Sequence, residues 1–484
     1  MKKIRVKNLF LALSLVANIG PSFALGDFAD GDKIIQLEEI NSKEFFTKNH
    51  LDTQYSPLKL ETDFLNQKEI DLEDIIATAL ENNLSLKIAK QNSKSAKWTF
   101  WNKIADLLPD FSLRASKQNR DGTFFLNSNF QAPIDETISS AGMRLNYRAL
   151  NGGASTFIAL SQRYYRQQAN LQEQAQYDLA VYNSVDLFLN LLKHQASMIA
   201  KLKSLKRAKE NFDNAQKRLS AGTGTKFEVL QSEANMARAQ QELVSQESAF
   251  RLAQIDLSEH LNIELDSSYK LSARTIEEID LIDDSVNIDE FVNLAFENNP
   301  NIAAALSKRK AVTRESFATR SAFVPKVDLF LDYSGTGQQW SDLFPITTLG
   351  LDAQYNIGDG LGLSAVTSTL AAKANVETAE LEYKQEKLSI EKALRRSYLS
   401  YQAAKSLVHA SRKQHLAAKE ALRLSKLRYE NGLEIFANLT QREFELTDAQ
   451  VNLINAISDY NLSQAKLVFN MGLIDPIKIL ALDS

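Results

Sequence analysis

The residue types that most often carry catalysis or metal binding are scattered in this sequence. The five histidines are His50, His194, His260, His409 and His415. His409 and His415 are six residues apart, which would place them on different faces of a helix. No metal-ligand set, nucleophile elbow or phosphate-binding loop occurs. The sequence therefore predicts no catalytic residue, no cofactor and no metal site, and it argues against an enzyme.

Charged residues do recur with a strand period in four segments, at about 110–119, 140–149, 326–335 and 347–357. Apolar and polar residues alternate there, as in strands with one apolar and one polar face, although Phe330 interrupts the polar face of the third segment. Each segment is long enough for a tilted strand that spans a membrane, with its polar face toward water. The charged residues expected to face this lumen are Arg114, Arg144, Arg148, Asp328, Asp332 and Asp352. The alternative is a four-stranded sheet in a soluble α+β protein.

Four strands cannot close a barrel by themselves, and an open strand edge does not persist in lipid. A membrane barrel built from these segments must therefore be shared between protomers. Closure starts at eight strands, so a dimer would supply the minimum and a trimer would supply twelve. The strand count alone does not choose between the two.

The first 24 residues and the overall composition indicate an exported protein. Residues 1–24 have a basic start, an apolar middle and a small-residue cleavage site, which predicts a secretory signal peptide. Removing its four basic residues lowers the formal net charge from −4 to −8, which argues against a nucleic-acid partner. The chain has no cysteine, so disulfides and a lipid-modified cysteine are excluded. No later apolar run is long enough for a transmembrane helix.

The chain is a duplication. Leu80-Glu81-Asn82-Asn83 recurs as Phe296-Glu297-Asn298-Asn299, and the segment ending at Gly222 recurs at Gly432. The repeats span about 71–262 and 288–472, and the elements of each are a helix, two strands, a long helix and a return helix. The remaining parts are an extension at 25–70, an acidic connector at 263–287 and a tail at 473–484.

Helices dominate the predicted repeats. One helix is expected from about Leu72 to Asp106 and its twin from about Asp289 to Ala322. No glycine or proline interrupts 154–221 or 363–431, which predicts rods of about 100 Å. Each return helix carries apolar residues seven apart, which indicates a coiled-coil seam. A soluble periplasmic coiled-coil protein, structural or adaptor-like, would have the same periodicity.

The ordered set of motifs resembles the TolC-like outer-membrane efflux protein family. The resemblance rests on "ALENN", on "LLPD" and "FVPK" before the strands, and on the segments "RLSAGTGTKFEVLQSEANMARAQQEL" and "RYENGLEIFANLTQREFELTDAQVNL". It implies a mainly α protein with a small membrane β-barrel portion. The family forms homotrimers, in which a 12-stranded barrel lies in outer-membrane lipid above a 12-helix periplasmic tunnel.

The resemblance also implies partners and a function. A periplasmic adaptor (membrane fusion) protein and an inner-membrane pump of the RND, ABC or MFS type would work with the channel. The cargo would be drugs or other small molecules, or proteins in type I secretion.

The tips at Gly222 and Gly432, together with Tyr429, match the family's closed end and its adaptor docking region. Acidic residues ring this constriction in some members, but the matching positions in the second repeat are Asn438 and Gln441. Those in the first repeat are Glu228 and Gln231. Three copies of Glu228 could form a carboxylate ring that attracts cations. Alternatively, Glu228 is a solvated carboxylate that stabilises the first turn of its helix.

Some members close the tip with a basic residue two positions after the glycine. Gly224 and Glu434 occupy those positions here. The contacts that close this tip are therefore expected to differ from the family's, with a partner that the sequence does not identify.

Overall fold

The structure is a computed structural model of the 484-residue chain. It describes residues 68–127, 130–265, 269–272, 276–282, 287–355 and 360–474. The predicted signal peptide, nearly all of the 25–70 extension and nearly all of the tail lie outside these ranges.

Helices make up most of the described chain. In order they are α1 (Leu72–Asn82), α2 (Leu84–Ala105), α3 (Ala154–Ser220), α4 (Lys226–Leu261), α5 (Ile288–Asn298), α6 (Pro300–Thr319), α7 (Leu363–Glu430) and α8 (Phe436–Met471). The strands are β1 (Lys68–Ile70), β2 (Asp110–Asn127), β3 (Phe130–Leu150), β4 (Tyr269–Leu271), β5 (Lys326–Gly337) and β6 (Phe344–Gln354). This confirms a mainly helical chain with a smaller sheet component. Among the described helices, none combines the length and the apolar character that crossing a membrane requires.

The long helices α3 and α7 have 67 and 68 residues. Nearer the sheet, α3 packs between α2 and α6, and α7 packs against α6. Toward the tips, α3 packs between α4 and α8, and α7 packs against α8. A helix this long is stabilised mainly by packing along its sides, and the two different pairs of neighbours supply that packing along its length.

The main core lies halfway along α3. Helix α1 buries Leu72 and Ile75 against a cluster that contains Val181, Val185 and Phe188 of α3. The short parallel pair of β1 and β4 joins the same cluster through Leu271. The apolar face of α1 therefore attaches it to one side of the long helix.

The prediction of a single helix from Leu72 to Asp106 was wrong, because the chain bends at Asn83. The Asn83 Oδ1 accepts a hydrogen bond from the Leu86 backbone N–H at 3.1 Å and so caps α2. Its Nδ2 donates to the His260 carbonyl at 3.0 Å, near the end of α4. The Asn83 side chain therefore caps the start of α2 and is hydrogen-bonded to the end of α4.

The predicted helix from Asp289 to Ala322 was wrong for the same reason. Asn299 Oδ1 accepts from the Asn301 backbone N–H at 3.0 Å, and its Nδ2 donates to the Asn470 carbonyl at 3.1 Å. The final asparagine of the recurring motif thus makes the same two kinds of contact at both places, a helix cap and a hydrogen bond to the end of another helix.

We expect Asn83→Ala and Asn299→Ala each to lower the free energy of unfolding by about 1–3 kcal/mol, since each removes a helix cap and a second hydrogen bond. The control is Asn→Ser at the same positions. Serine keeps an oxygen that can cap the helix but loses the amide donor, so it should destabilise less. Thermal unfolding of the purified protein measures the difference, and equal losses for alanine and serine would contradict the capping role.

The four longer strands form one antiparallel sheet in the order β2-β3-β5-β6. The strands β2 and β3 extend well beyond their predicted limits of 119 and 140. Apolar alternation already stops at Lys117, and Asn119 and Asp121 follow it on the formerly apolar face, so the pattern gives no signal for the rest of the hairpin. Hydrogen bonds between the strands continue without it, which is why the sequence pattern did not mark these residues.

Candidate functional site

The charged face of the sheet contains all six residues expected there. Pairing across the strands aligns Arg148 with Asp328 and Asp352, and Arg144 with Asp332. Arg114 lies opposite Gly142, two residues from Arg144, and therefore on the same face. The Arg148 Nε is 3.3 Å from Asp328 Oδ1. The register thus brings side chains from all four strands onto one surface.

Phe330, which interrupts the polar pattern, belongs to this face. It lies opposite Gly350, and a Cβ at that glycine would be 2.4 Å from the Phe330 ring. The Arg144 guanidinium carbon lies 4.3 Å from the centre of the same ring. Phe330 therefore fills the space that the glycine leaves and supports an arginine by a cation–π contact.

The opposite face of the sheet is apolar and uncovered. Leu113 and Leu349 are 76% and 79% exposed. Leu145, Leu331 and Leu351 on the same face are also exposed. A continuous apolar surface of this kind is unfavourable in water and marks a contact with lipid or protein.

The sheet has two outer edges. Within the described chain, β2 pairs only with β3, and β6 pairs only with β5. The outward backbone groups of β2 and β6 are therefore available for pairing with another chain.

The two helical tips have the same backbone geometry. Gly222 and Gly432 both have a φ of 73°. The Thr223 N–H donates to the Arg218 carbonyl at 3.0 Å, and the Leu433 N–H donates to the Arg428 carbonyl at 2.8 Å. These are Schellman motifs, whose left-handed position favours glycine.

The two tips are joined by a contact that the sequence did not identify. The Arg218 guanidinium donates a hydrogen bond to the Tyr429 hydroxyl. Its central carbon lies 5.6 Å from the Tyr429 ring centre, and this ring packs 5.9 Å from that of Phe436. We name the Arg218–Tyr429 pair the tip contact. Arg218 precedes the turn in the repeated tip segment, and that was the only sequence signal for it.

The structure places Glu228 in a capping box. Its backbone N–H donates to Thr225 Oγ1 at 3.2 Å, and its carboxylate accepts from the Thr225 N–H at 3.4 Å. This arrangement satisfies two N–H groups at the start of α4. Glu228 therefore stabilises the first turn of α4.

The other constriction candidates do not meet one another in the described protomer. Gln231 is half-buried on α4, whereas Asn438 and Gln441 are exposed on α8. Gln441 Nε2 donates to Glu445 Oε1 at 3.2 Å.

A second set of polar contacts joins α3 to α8 above the tips. An Arg207 N–H donates to Thr447 Oγ1 at 2.8 Å, and Asn211 Nδ2 donates to Glu443 Oε2 at 2.7 Å. Burial raises the pKa of Glu443, although the nearby Arg207 charge opposes the shift. Lys201 lies between Glu242 at 2.9 Å and Asp448 at 3.3 Å. These contacts connect α4, α3 and α8 through charged and amide groups.

Asp178 of α3 is 7% exposed, and burial raises its pKa from 3.8 to about 6. An acid whose folded pKa is raised favours folding when protonated, so this stability is present below pH 3.8 and lost as pH rises through 6. We expect Asp178→Asn to stabilise the protein at pH 8 by on the order of 1–2 kcal/mol. The gain should be nearly absent at pH 4, and thermal unfolding at the two pH values measures it. An equal gain at both would contradict the ionisation argument.

In the part of the chain that the structure describes, no cluster of histidine and acidic residues is arranged around a common point.

Comparison with known proteins identifies the family to which this architecture belongs. The family model described as "Outer membrane efflux protein" matches residues 75–262 and 291–473. No curated protein sequence matches the chain significantly.

Several solved structures share the fold. The CmeC outer membrane channel of Campylobacter jejuni has a TM-score of 0.75 and 16% identity, covering 86% of this chain and 89% of that chain. VceC of Vibrio cholerae has a TM-score of 0.71 and 19% identity, covering 83% and 96%. The open-state MtrE channel of Neisseria gonorrhoeae has a TM-score of 0.69 and 18% identity, covering 83% and 89%. The family model covers most of the chain in both repeats, and the resemblance inferred from the motifs is confirmed: the chain belongs to the outer membrane efflux protein family.

Proposed function

We propose that this protein is an outer-membrane exit channel that works as a homotrimer. The observation that carries the proposal is the four-stranded sheet, with an exposed apolar face, a charged face and two unpaired outer edges. Three such sheets joined edge to edge would form a 12-stranded barrel with lipid outside and water inside. Arg114, Arg144, Arg148, Asp328, Asp332 and Asp352 would then line the lumen.

The helices support the same assembly. In the protomer α7 lies at one side of the helical layer, and α2 and α4 lie at the other. A head-to-tail contact of α7 with the next protomer's α2 and α4 would close a ring by three-fold rotation. The edge strands of the sheet match this arrangement, because β2 follows α2 in the chain and β6 precedes α7. One rotation therefore completes both a barrel and a 12-helix periplasmic tunnel.

The tips would form the closed periplasmic end of the tunnel. The tip contact holds the ends of α3 and α7 together within one protomer. Glu228, Gln231, Asn438 and Gln441 are the candidates for its constriction. The turns at Gly222 and Gly432, with Tyr429 beside them, are the candidates for docking of a periplasmic adaptor.

The channel supplies a path and no chemical step, so the energy would come from an inner-membrane pump of the RND, ABC or MFS type. The cargo would be small molecules or a type I secretion substrate. We also infer that the mature chain starts after residue 24 and that the duplicated units are 71–262 and 288–472.

Membrane fractionation tests the proposal. The protein should stay with outer membranes after osmotic shock, require detergent for extraction, migrate with the mass of a trimer and conduct ions in planar bilayers. A monomer released by osmotic shock without detergent would instead establish the soluble periplasmic coiled-coil alternative.

A further inference from the structure

A polar groove lies on α3, between α2 and the start of α6, at about the level where α1 and α2 meet. Its volume is about 490 Å³, within the range of small-molecule sites. The side chain of Phe469, near the end of α8, forms part of its wall.

The groove faces away from α1. Helix α1 packs against Val181, Val185 and Phe188. The floor of the groove is formed by residues nine positions earlier, Gln172, Gln176 and Leu179. Nine residues are two and a half turns of an α-helix, so the two sets lie on opposite faces of α3.

In the proposed trimer, on which this inference rests, the orientation of the groove determines whether it opens to the inside or the outside of the tunnel. In a closed ring, α1 with β1 and β4 must lie outside, because on the inside three copies would fill the duct. The groove on the opposite face of α3 therefore opens into the lumen, and a trimer has three of them.

Glu173 is the one charged residue among those that line the groove in the described chain. It makes no ion pair with any described residue. The other polar residues that line the groove carry uncharged amides or a hydroxyl, including Asn92, Gln176 and Ser85. A negative charge among neutral polar groups favours a cation, and the amides can accept or donate hydrogen bonds around it.

The groove also has an apolar part of its wall. Ile88 of α2 is 61% exposed and lines the groove together with Phe469. The Phe469 ring is held in place by stacking on Tyr182, with ring centres 4.9 Å apart. A groove that has a carboxylate at one position and an apolar, partly aromatic wall at another suits an amphiphilic organic cation, because its charge and its apolar part are accommodated separately.

We propose that this groove is a binding site for amphiphilic organic cations on the tunnel wall. The cation's ammonium or iminium group lies at Glu173, and its apolar part lies against Ile88 and Phe469. The groove thus gives the channel a preference for cationic cargo that is independent of the constriction at the tips.

Fluorescence anisotropy of rhodamine 6G, an organic cation, with the purified trimer in a non-ionic detergent tests this site. Micelles without protein are the blank, and fluorescein is the anionic counterpart. We expect Glu173→Gln to weaken rhodamine 6G binding about tenfold, since a carboxylate at short range contributes about that factor in a partly hydrated site. Glu173→Lys should abolish rhodamine 6G binding and allow fluorescein to bind.

Two further variants separate the groove from general surface charge. Phe469→Leu keeps an apolar side chain but removes the ring, and should weaken rhodamine 6G binding several-fold. Glu73→Gln removes an exposed carboxylate on α1, which packs on the opposite face of α3 from the groove, and should leave binding unchanged.

Trimer mass and bilayer conductance are measured on the same samples. An intact conducting trimer that binds no rhodamine 6G, or whose binding is unchanged by Glu173→Gln, would overturn the groove proposal and leave the channel proposal standing. Absence of a trimer would overturn the channel proposal itself.

Discussion

Leu351→Arg should prevent the protein from assembling into a trimer in the outer membrane. Leu351 lies on the apolar face of β6, opposite Leu329 of β5, and is 62% exposed in the protomer. An arginine on the lipid face of a barrel costs up to about 2–4 kcal/mol, a cost that falls from the bilayer midplane toward the interfaces, and the trimer would contain three. The measurement is the amount of trimer in outer-membrane extracts, assessed by its resistance to SDS before heating.

Thr348→Arg is the matched control. Thr348 lies three residues away on the same strand, but its side chain belongs to the charged face beside Asp332. The proposed barrel places this position in water, so the variant should assemble normally. If both variants assembled equally well, the apolar face would not contact lipid and the barrel proposal would lose its main support.

Arg218→Ala should open the periplasmic end of the channel. The tip contact combines a charge-assisted hydrogen bond with a cation–π contact, which at an exposed site is worth on the order of 1 kcal/mol. If the three tips open together, removing three contacts shifts the open-to-closed ratio by about 100-fold. Single-channel conductance in planar bilayers should rise from a mostly closed to a mostly open level.

Tyr429→Phe retains the ring and loses the hydroxyl, so it should produce a smaller shift in the same direction. Lys217→Ala is the control, because Lys217 carries the same charge in the last turn of α3 but takes no part in the tip contact. An Arg218→Ala channel that stays as closed as the wild type would show that other contacts hold the tip.

The large features of this protein follow from local rules that a sequence displays directly. The absence of glycine and proline over about 68 residues allows long helices, and glycine is favoured where a helix must end in a left-handed turn. Alternation identified the strands wherever one face is apolar, since the side chains of a strand point to alternate sides. Where both faces of the β2–β3 hairpin become polar, the pattern ended and so did the prediction.

The sequence by itself predicted a twofold repeat, the order of the long helices and of the four longer strands, and the set of charged residues that share one face of the sheet. Only the tertiary structure decided that Asn83 and Asn299 divide helices that looked continuous, that Arg218 is the partner of Tyr429, and that Glu173 and Phe469 line one groove. Each of these depends on two groups that are far apart in the chain and meet only when helices pack. Periodicity shows which face of its own helix or strand a residue occupies. It does not show which distant side chain that residue will contact when helices pack.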